Sequence, residues 1–201
     1  MVRIARAGLI AVVLAGVAAT QDKVELFAQN TEEGVEIRAP RSPGKDQLWE
    51  AQVGKGKFWG NSHVSVYHKV ENFSVDVIVG RLPGKQMNES WSPLEEIAKN
   101  EREKLTKPQG DQKEASYKEA RVKEEDPKAK LPSLGRAHMQ RLTLTDAKDG
   151  KREITQYISV SANVLYVVVV SYDAEGFKKF FAREGQAILS TIKQCKIVKK
   201  K

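Results

Sequence analysis

Alternation of apolar and polar positions dominates the middle of the chain. Val64, Val66, His68 and Val70 take every second position, and Phe73, Val75, Val77 and Val79 repeat the pattern directly afterwards. A period of two is that of a strand with one buried face. Glu71-Asn72 fits a tight turn between the two runs, which predicts a β-hairpin. Upstream, Val24 to Phe27 and Val35 to Ala39 read as short strands parted by a turn at Glu32-Glu33-Gly34; Pro40, Pro43 and Gly44 close the second. Downstream, Met139 to Thr145 and Arg152 to Ser161 read as two more strands, with Ile154, Ile158 and Val160 on one face of the second. Asp146 to Gly150 joins them, and its Asp-Gly pair is a hairpin signal. One segment departs from alternation. Asn163 to Tyr172 is apolar on both faces and rich in β-branched residues, which predicts a central strand covered on both sides. The run is too short to cross a membrane as a helix.

Two segments carry helical periodicity instead. Ser92 stands at an N-cap, Pro93 at the first helical position, and Glu95 three residues after the cap. That is a capping box with proline where its missing N–H costs nothing. Leu94, Ile97, Ala98 and Leu105 then share a face, and Pro108 and Gly110 stop the helix. Near the C-terminus, Phe177, Phe180, Phe181, Ile188 and Ile192 form the apolar face of a second helix with Asp173 as its cap. Residues 109–133 are charged and poor in large apolar side chains; Tyr117 to Val122 reads there as an edge strand, and Asp126-Pro127 and Leu131-Pro132 as irregular connections. Gln194 to Val198 reads as a last short strand. Strands in runs joined by short turns imply antiparallel pairing and an α+β fold.

Taken together, several phrases resemble the PsbP-like superfamily, which includes the DcrB-like bacterial envelope proteins. They are the early strand ending in Ile37-Arg-Ala-Pro40 with Trp49 shortly after, the valine-rich hairpin of residues 64–79, and the Ser92-Pro-Leu-Glu helix. They continue with the apolar strand at 164–170, the helix carrying Phe177, Phe180 and Phe181 into Ile188-Leu-Ser-Thr-Ile192, and the short closing strand. The resemblance covers residues 33–198. It implies an antiparallel β-sheet flanked by helices in a three-layer α/β/α sandwich. Functionally it spans photosystem accessory subunits, envelope proteins and binding modules, and nothing in this chain matches a photosystem subunit closely enough to imply that role.

The N-terminus changes the picture of where the protein works. Arg3 and Arg6 precede an unbroken small-and-apolar run from Ala7 to Ala19. This is the layout of a secretory signal peptide, and the run is short of the roughly 20 residues of a spanning helix. Val17-Ala18-Ala19 supplies small residues for cleavage after Ala19, which would expose Thr20. An uncleaved anchor is the alternative. The expected organisation is a signal peptide at 1–19, a lead-in at 20–32, one domain at 33–198 and a basic tail at 199–201. Arg3 and Arg6 are the only charges before Thr20, so cleavage takes the formal net charge from +8 to +6. That balance permits contact with an anionic envelope component, a protein partner or, peripherally, membrane headgroups. Export argues against nucleic acid as a partner. Cys195 is the single cysteine, so stability must come from the apolar core and not from disulfides.

Candidate chemistry is sparse. His63 and His68 are five apart on a strand and so point to opposite faces; a metal site would need His138 brought beside one of them by strand pairing. No Gly-x-Ser-x-Gly elbow or complete phosphate-binding loop exists, and the adjacent carboxylate pairs Glu95-Glu96 and Glu124-Glu125 suit capping and solubility. The best binding candidate is the loop Gly54 to Asn61, where Lys55 and Lys57 alternate with glycine and Phe58-Trp59 follow. Such aromatics can anchor a partner, or else lid the edge of the core. The expectation is an exported, non-catalytic binding or accessory protein with Lys55, Lys57, Phe58 and Trp59 as its contact residues, needing no cofactor or metal. The alternative is an enzyme whose site joins His63 or His68 with Asp76 or Glu71.

Overall fold

The computed structural model describes residues 25–30, 34–40, 48–54, 62–70, 73–81, 92–108, 114–161, 164–172 and 185–197. The chain runs β1 (Glu25–Asn30), β2 (Val35–Pro40), β3 (Trp49–Val53), β4 (Ser62–His68) and β5 (Phe73–Arg81), then helix α1 (Ser92–Leu105). It continues β6 (Glu119–Asp126), β7 (Lys130–Leu131), β8 (Gly135–Thr145), β9 (Lys151–Ser161), β10 (Val164–Tyr172), helix α2 (Gly185–Ser190) and β11 (Lys193–Gln194). A large antiparallel sheet has the order β3-β4-β5-β10-β9-β8-β6, with β7 paired to β8 beside this path. A small sheet has the order β1-β2-β11.

The alternating segments form the strands that their period predicts. β4 and β5 pair antiparallel, with Val66 opposite Val75 and His68 opposite Phe73. β8 and β9 pair with Leu142 opposite Ile154, around a turn in which the Asp146 carboxylate accepts hydrogen bonds from the Lys148 and Gly150 N–H groups at 2.8 Å each. Asp149 takes the left-handed conformation there, which aspartate tolerates better than most residues (φ 64°). β10 lies at the middle of the seven-strand path and is buried on both faces, as its unbroken apolar run requires. α1 begins at Ser92 and ends at Leu105; Ala98 and Leu105 are buried, and Leu94 and Ile97 pack partly buried against them. The last strand is shorter and earlier than its sequence pattern predicts, only Lys193–Gln194. β3 and β7 carry no sequence pattern of their own; they are strands because their neighbours offer backbone partners.

Two apolar cores lie on opposite faces of the large sheet and are offset from one another. The first gathers Trp49, Val64, Val66, Phe73, Val75, Val77 and Val79 from β3–β5 with Tyr166, Val168, Val170 and Tyr172 from one side of β10. Val35 and Ile37 of the small sheet and Ile188, Leu189 and Ile192 around α2 cover it, and Leu131, Leu134 and Ala137 extend it toward β8. The second gathers Leu142 and Leu144 of β8, Ile154 and Ile158 of β9, and Val167 and Val169 from the other side of β10, covered by Ala98 and Leu105 of α1. Across β3–β5 the α1-facing positions are therefore mostly polar: Glu50, Gln52, Ser65, Tyr67, Ser74 and Asp76. The fold is α+β and chiefly antiparallel, with one helix over one face and a small sheet with a six-residue helix over the other. Phe177, Phe180 and Phe181 lie outside the described residues.

The small sheet is closed onto the C-terminal segment at one backbone crossing. Cys195 donates its N–H to the Gly34 carbonyl at 2.8 Å, and Gly34 holds φ +73°. A Cβ there would meet Ile197 Cγ1 at 2.7 Å and the Cys195 carbonyl at 3.1 Å, so only glycine fits this turn. Cys195 is half-buried rather than fully buried. Its Sγ faces the Asn30 carbonyl at 3.8 Å, and desolvation raises its thiol pKa, which keeps it a poor nucleophile.

Candidate functional site

The end of the large sheet where β4 meets β5 also receives the last residue of β10 and the first residues of β9. Antiparallel pairing brings them there: Ser74 is the partner of Ser171, and Tyr172 is the partner of Glu153. An open cleft of about 610 Å³ occupies this end, lined by Tyr67, His68, Lys69, Phe73, Ser74, Lys151, Arg152 and Tyr172. Most of these side chains stand on strand termini, where backbone pairing fixes the Cα position while the side chain reaches solvent. Volumes of this order suit small-molecule ligands.

Aromatic groups make a rigid wall. The His68 ring meets Trp49 edge-on at 5.1 Å between centroids and Phe73 at 6.1 Å, and it is nearly fully buried. Tyr172 is buried, shares a 2.7 Å hydrogen bond with the Thr155 hydroxyl, and is pushed by burial far above the usual tyrosine range. The charges among the described lining residues are cationic: Lys69, Lys151 and Arg152. Lys69 pairs with Glu50 at 2.5 Å, and Glu50 also accepts a hydrogen bond from the Tyr67 hydroxyl. Arg152 lies near Tyr117 and sends its field toward Asp76.

Behind Ser74 lies the most perturbed carboxylate of the site. Asp76 is pushed up from 3.8 to about 6, chiefly by burial; the Ser74 hydroxyl, donating to Oδ2 at 2.9 Å, and the charge of Arg152 oppose the rise. Beside Ser74 in the register, the fully buried Ser171 hydroxyl has no hydrogen-bond partner among the described residues.

The histidine–carboxylate pairings considered from the sequence divide in two. His68 packs in the first core, whereas Asp76 faces the opposite side of β5, so the sheet itself separates them. His68 and His138 likewise lie on opposite faces, four strand spacings across the sheet and five residues apart along it, or about 25 Å. His138 instead meets Glu125 at 2.8 Å across β6 and β8. Among the described residues no group of three or more His, Cys, Asp or Glu side chains could hold a metal ion. The His63 side chain and Glu71 lie outside the described residues, as do Lys55, Lys57, Phe58 and Trp59, which follow the end of β3 at Val53 and Gly54.

Sequence reasoning missed the cleft because its cations come from two distant places. Lys69 follows β4, while Lys151 and Arg152 open β9, and each reads alone as a solvated charge. The only available signal was their shared position at the ends of alternating runs.

No protein-family model and no curated protein matches the chain. Among solved structures, the chain is similar to the solution structure of cyanobacterial PsbP from Synechocystis sp. PCC 6803, at 13% identity and a TM-score of 0.49, over 89% of this chain and 97% of that one. A second neighbour, a Pseudomonas aeruginosa protein of unknown function, matches at 8% identity and a TM-score of 0.37, over 88% of this chain and 98% of that one.

Proposed function

We propose that the protein is an exported, non-catalytic binding or accessory protein, and that its ligand or partner docks at the cleft on the end of the large sheet. One observation carries the reading: cationic and aromatic side chains from β4, β5, β9 and β10 converge on an open cleft at strand ends. Binding needs no more than such a rigid, pre-formed surface, whereas catalysis by His68 with Asp76 would need the two on one face of the sheet. The loop carrying Lys55, Lys57, Phe58 and Trp59 adds a second contact in this reading. Export rests on Arg3, Arg6 and the run from Ala7 to Ala19, with a periplasmic or extracellular destination. The domain is in this reading a three-layer sandwich, supported by burial of the large sheet on both faces.

Two experiments test these points separately. Intact mass of the protein isolated from its native host begins at Thr20 if the segment is a cleaved signal; a mass that includes residues 1–19 establishes the tether instead. A photo-crosslinking amino acid at position 69 captures a ligand or partner in cells, while the same group at position 130 does not. Equal capture at both positions, or none at 69, removes the cleft as the binding surface. If Phe58→Ala with Trp59→Ala leaves capture at 69 unchanged, the loop plays no part.

A further inference from the structure

Resting on that reading, we propose that the sheet-end cleft is an anion site, built for a small ligand that carries two or more phosphate or carboxylate groups. Among the described lining residues the charges are one-signed, Lys69, Lys151 and Arg152, with no carboxylate. The described acids around the cleft are turned to other work, including Glu153 beside Arg152, which is held by Lys123. Glu50 is held by Lys69 and the Tyr67 hydroxyl, Asp76 sits behind Ser74 and accepts its hydrogen bond, and Asp149 is bound by Lys118.

The geometry separates the cations in a way that suits more than one anionic group. Lys151 and Arg152 are consecutive residues of β9, and their side chains leave opposite faces of the strand. Lys69, whose charge is shared with Glu50, approaches from the far side of the cleft, beyond β5 and β10 in the strand order. A single monoanion would meet one of these charges at a time; a ligand with two or more anionic groups can bridge them. Arginine supplies a planar fork and the lysines supply point charges, a combination that accepts both phosphate and carboxylate oxygens.

The floor supports the same assignment. Ser74 lines the cleft, and the Ser171 hydroxyl beside it is buried with no partner among the described residues. A buried hydroxyl without a partner is costly in a finished core, and such groups mark sites with spare hydrogen-bonding capacity. The volume of about 610 Å³ accommodates a small molecule, and the buried His68, Phe73 and Tyr172 behind it keep the wall in place.

Calorimetric titration of the full chain at low ionic strength, with pyrophosphate in one arm and citrate in the other, tests this. Saturable one-to-one binding of either probe is expected, and the stronger arm identifies the anion class. Lys151→Gln, at an exposed position, lowers that affinity about tenfold, the loss of one charge-assisted contact. Lys130→Gln is the control. Lys130 pairs with Arg136, nine residues along β8 from the partner of Lys151, or about 30 Å away, and its loss leaves the affinity unchanged. Saturation by neither probe overturns the proposal, as does equal weakening by the two variants, which would reduce the effect to net charge. If neither probe binds while crosslinking at position 69 persists, the anion class fails and the cleft stands; loss of both removes the cleft as well.

Discussion

The two halves of the large sheet are built as opposites. In β3–β5 the buried side is the one toward the small sheet, and the α1-facing side is largely polar. In β8–β9 the side toward α1 carries Leu142, Leu144, Ile154 and Ile158, while the other carries Arg141, Thr143, Glu153 and Thr155. β10 stands at the crossing and belongs to both cores, so it is the one strand that must be apolar on both faces. The comparison explains why alternating strands can build a sheet buried on both sides: the halves alternate in opposite phase, and a single unbroken strand joins them. It also places the cleft. Where the polar face of β4–β5 reaches the sheet end, Tyr67 and Ser74 are left to line open space rather than core.

A charge on β10 should break both halves at once. Val168→Asp and Val169→Asp enter opposite cores, and each buries an unpaired carboxylate at a fully buried site. Each costs about 5 kcal/mol or more, comparable with the total stability of a small domain, so thermal scans should show no cooperative transition. A normal transition in either variant would mean that one core is dispensable.

Trp49→Ala and Leu142→Ala test the halves separately. Both residues are fully buried, one in each core. Losses of about 3–5 and about 2–5 kcal/mol are expected in denaturant unfolding. Native-state hydrogen exchange should then speed up most in β3–β4 for the first and in β8–β9 for the second. Uniform acceleration would make the sheet one cooperative unit.

Asp76 gives the comparison a pH dependence. Its folded-state pKa of about 6 lies above the ordinary 3.8, so the folded state holds the proton more tightly than the unfolded chain does. This group's stabilising contribution is complete below pH 4 and is lost as the pH rises through about 6. Asp76→Asn should therefore stabilise the protein at pH 8, by on the order of 3 kcal/mol at most, and do nothing at pH 3.5. Unfolding midpoints at the two pH values decide it; an equal gain at both would trace the effect to packing.

The smaller effects lie beneath and beyond the second core. Gln140 is buried and donates to the Ala98 carbonyl of α1 at 2.9 Å and to the Gln156 side chain at 2.7 Å. Gln140→Ala leaves those acceptors unpaired and should cost about 1–3 kcal/mol, whereas Gln140→Leu with Gln156→Leu should recover much of it. Failure of the double variant to recover stability would assign the cost to packing rather than pairing. At the exposed Lys118–Asp149 pair, Lys118→Ala should leave the unfolding midpoint unchanged.

Much of this architecture was legible because strand amphipathicity is local. The runs at 64–79 and 139–161 show which side chains share a face without knowing what covers that face. The capping box at Ser92 and the stop before Pro108 bracket α1 for the same reason, since caps act within one turn. β3 and β7 were not legible, because a short strand is defined by the partner that hydrogen-bonds it. The cleft was invisible for the same physical reason. Lys69 and Lys151 meet only after β5, β10 and β9 have paired, and no local pattern encodes that meeting.

By itself the sequence determined the period of the alternating strands, the turn between β8 and β9, the start and end of α1, and the double burial of β10. These follow from the two-residue repeat of the strand, the terminal hydrogen bonds of the helix, and the cost of exposing an unbroken apolar run. Tertiary structure decided the opposite phase of the two halves, the separation of His68 from Asp76, the pairing of His138 with Glu125, and the convergence of the cations at the sheet end. Those depend on strand order and register across the whole sheet, which are settled only when distant segments bury their apolar faces against each other.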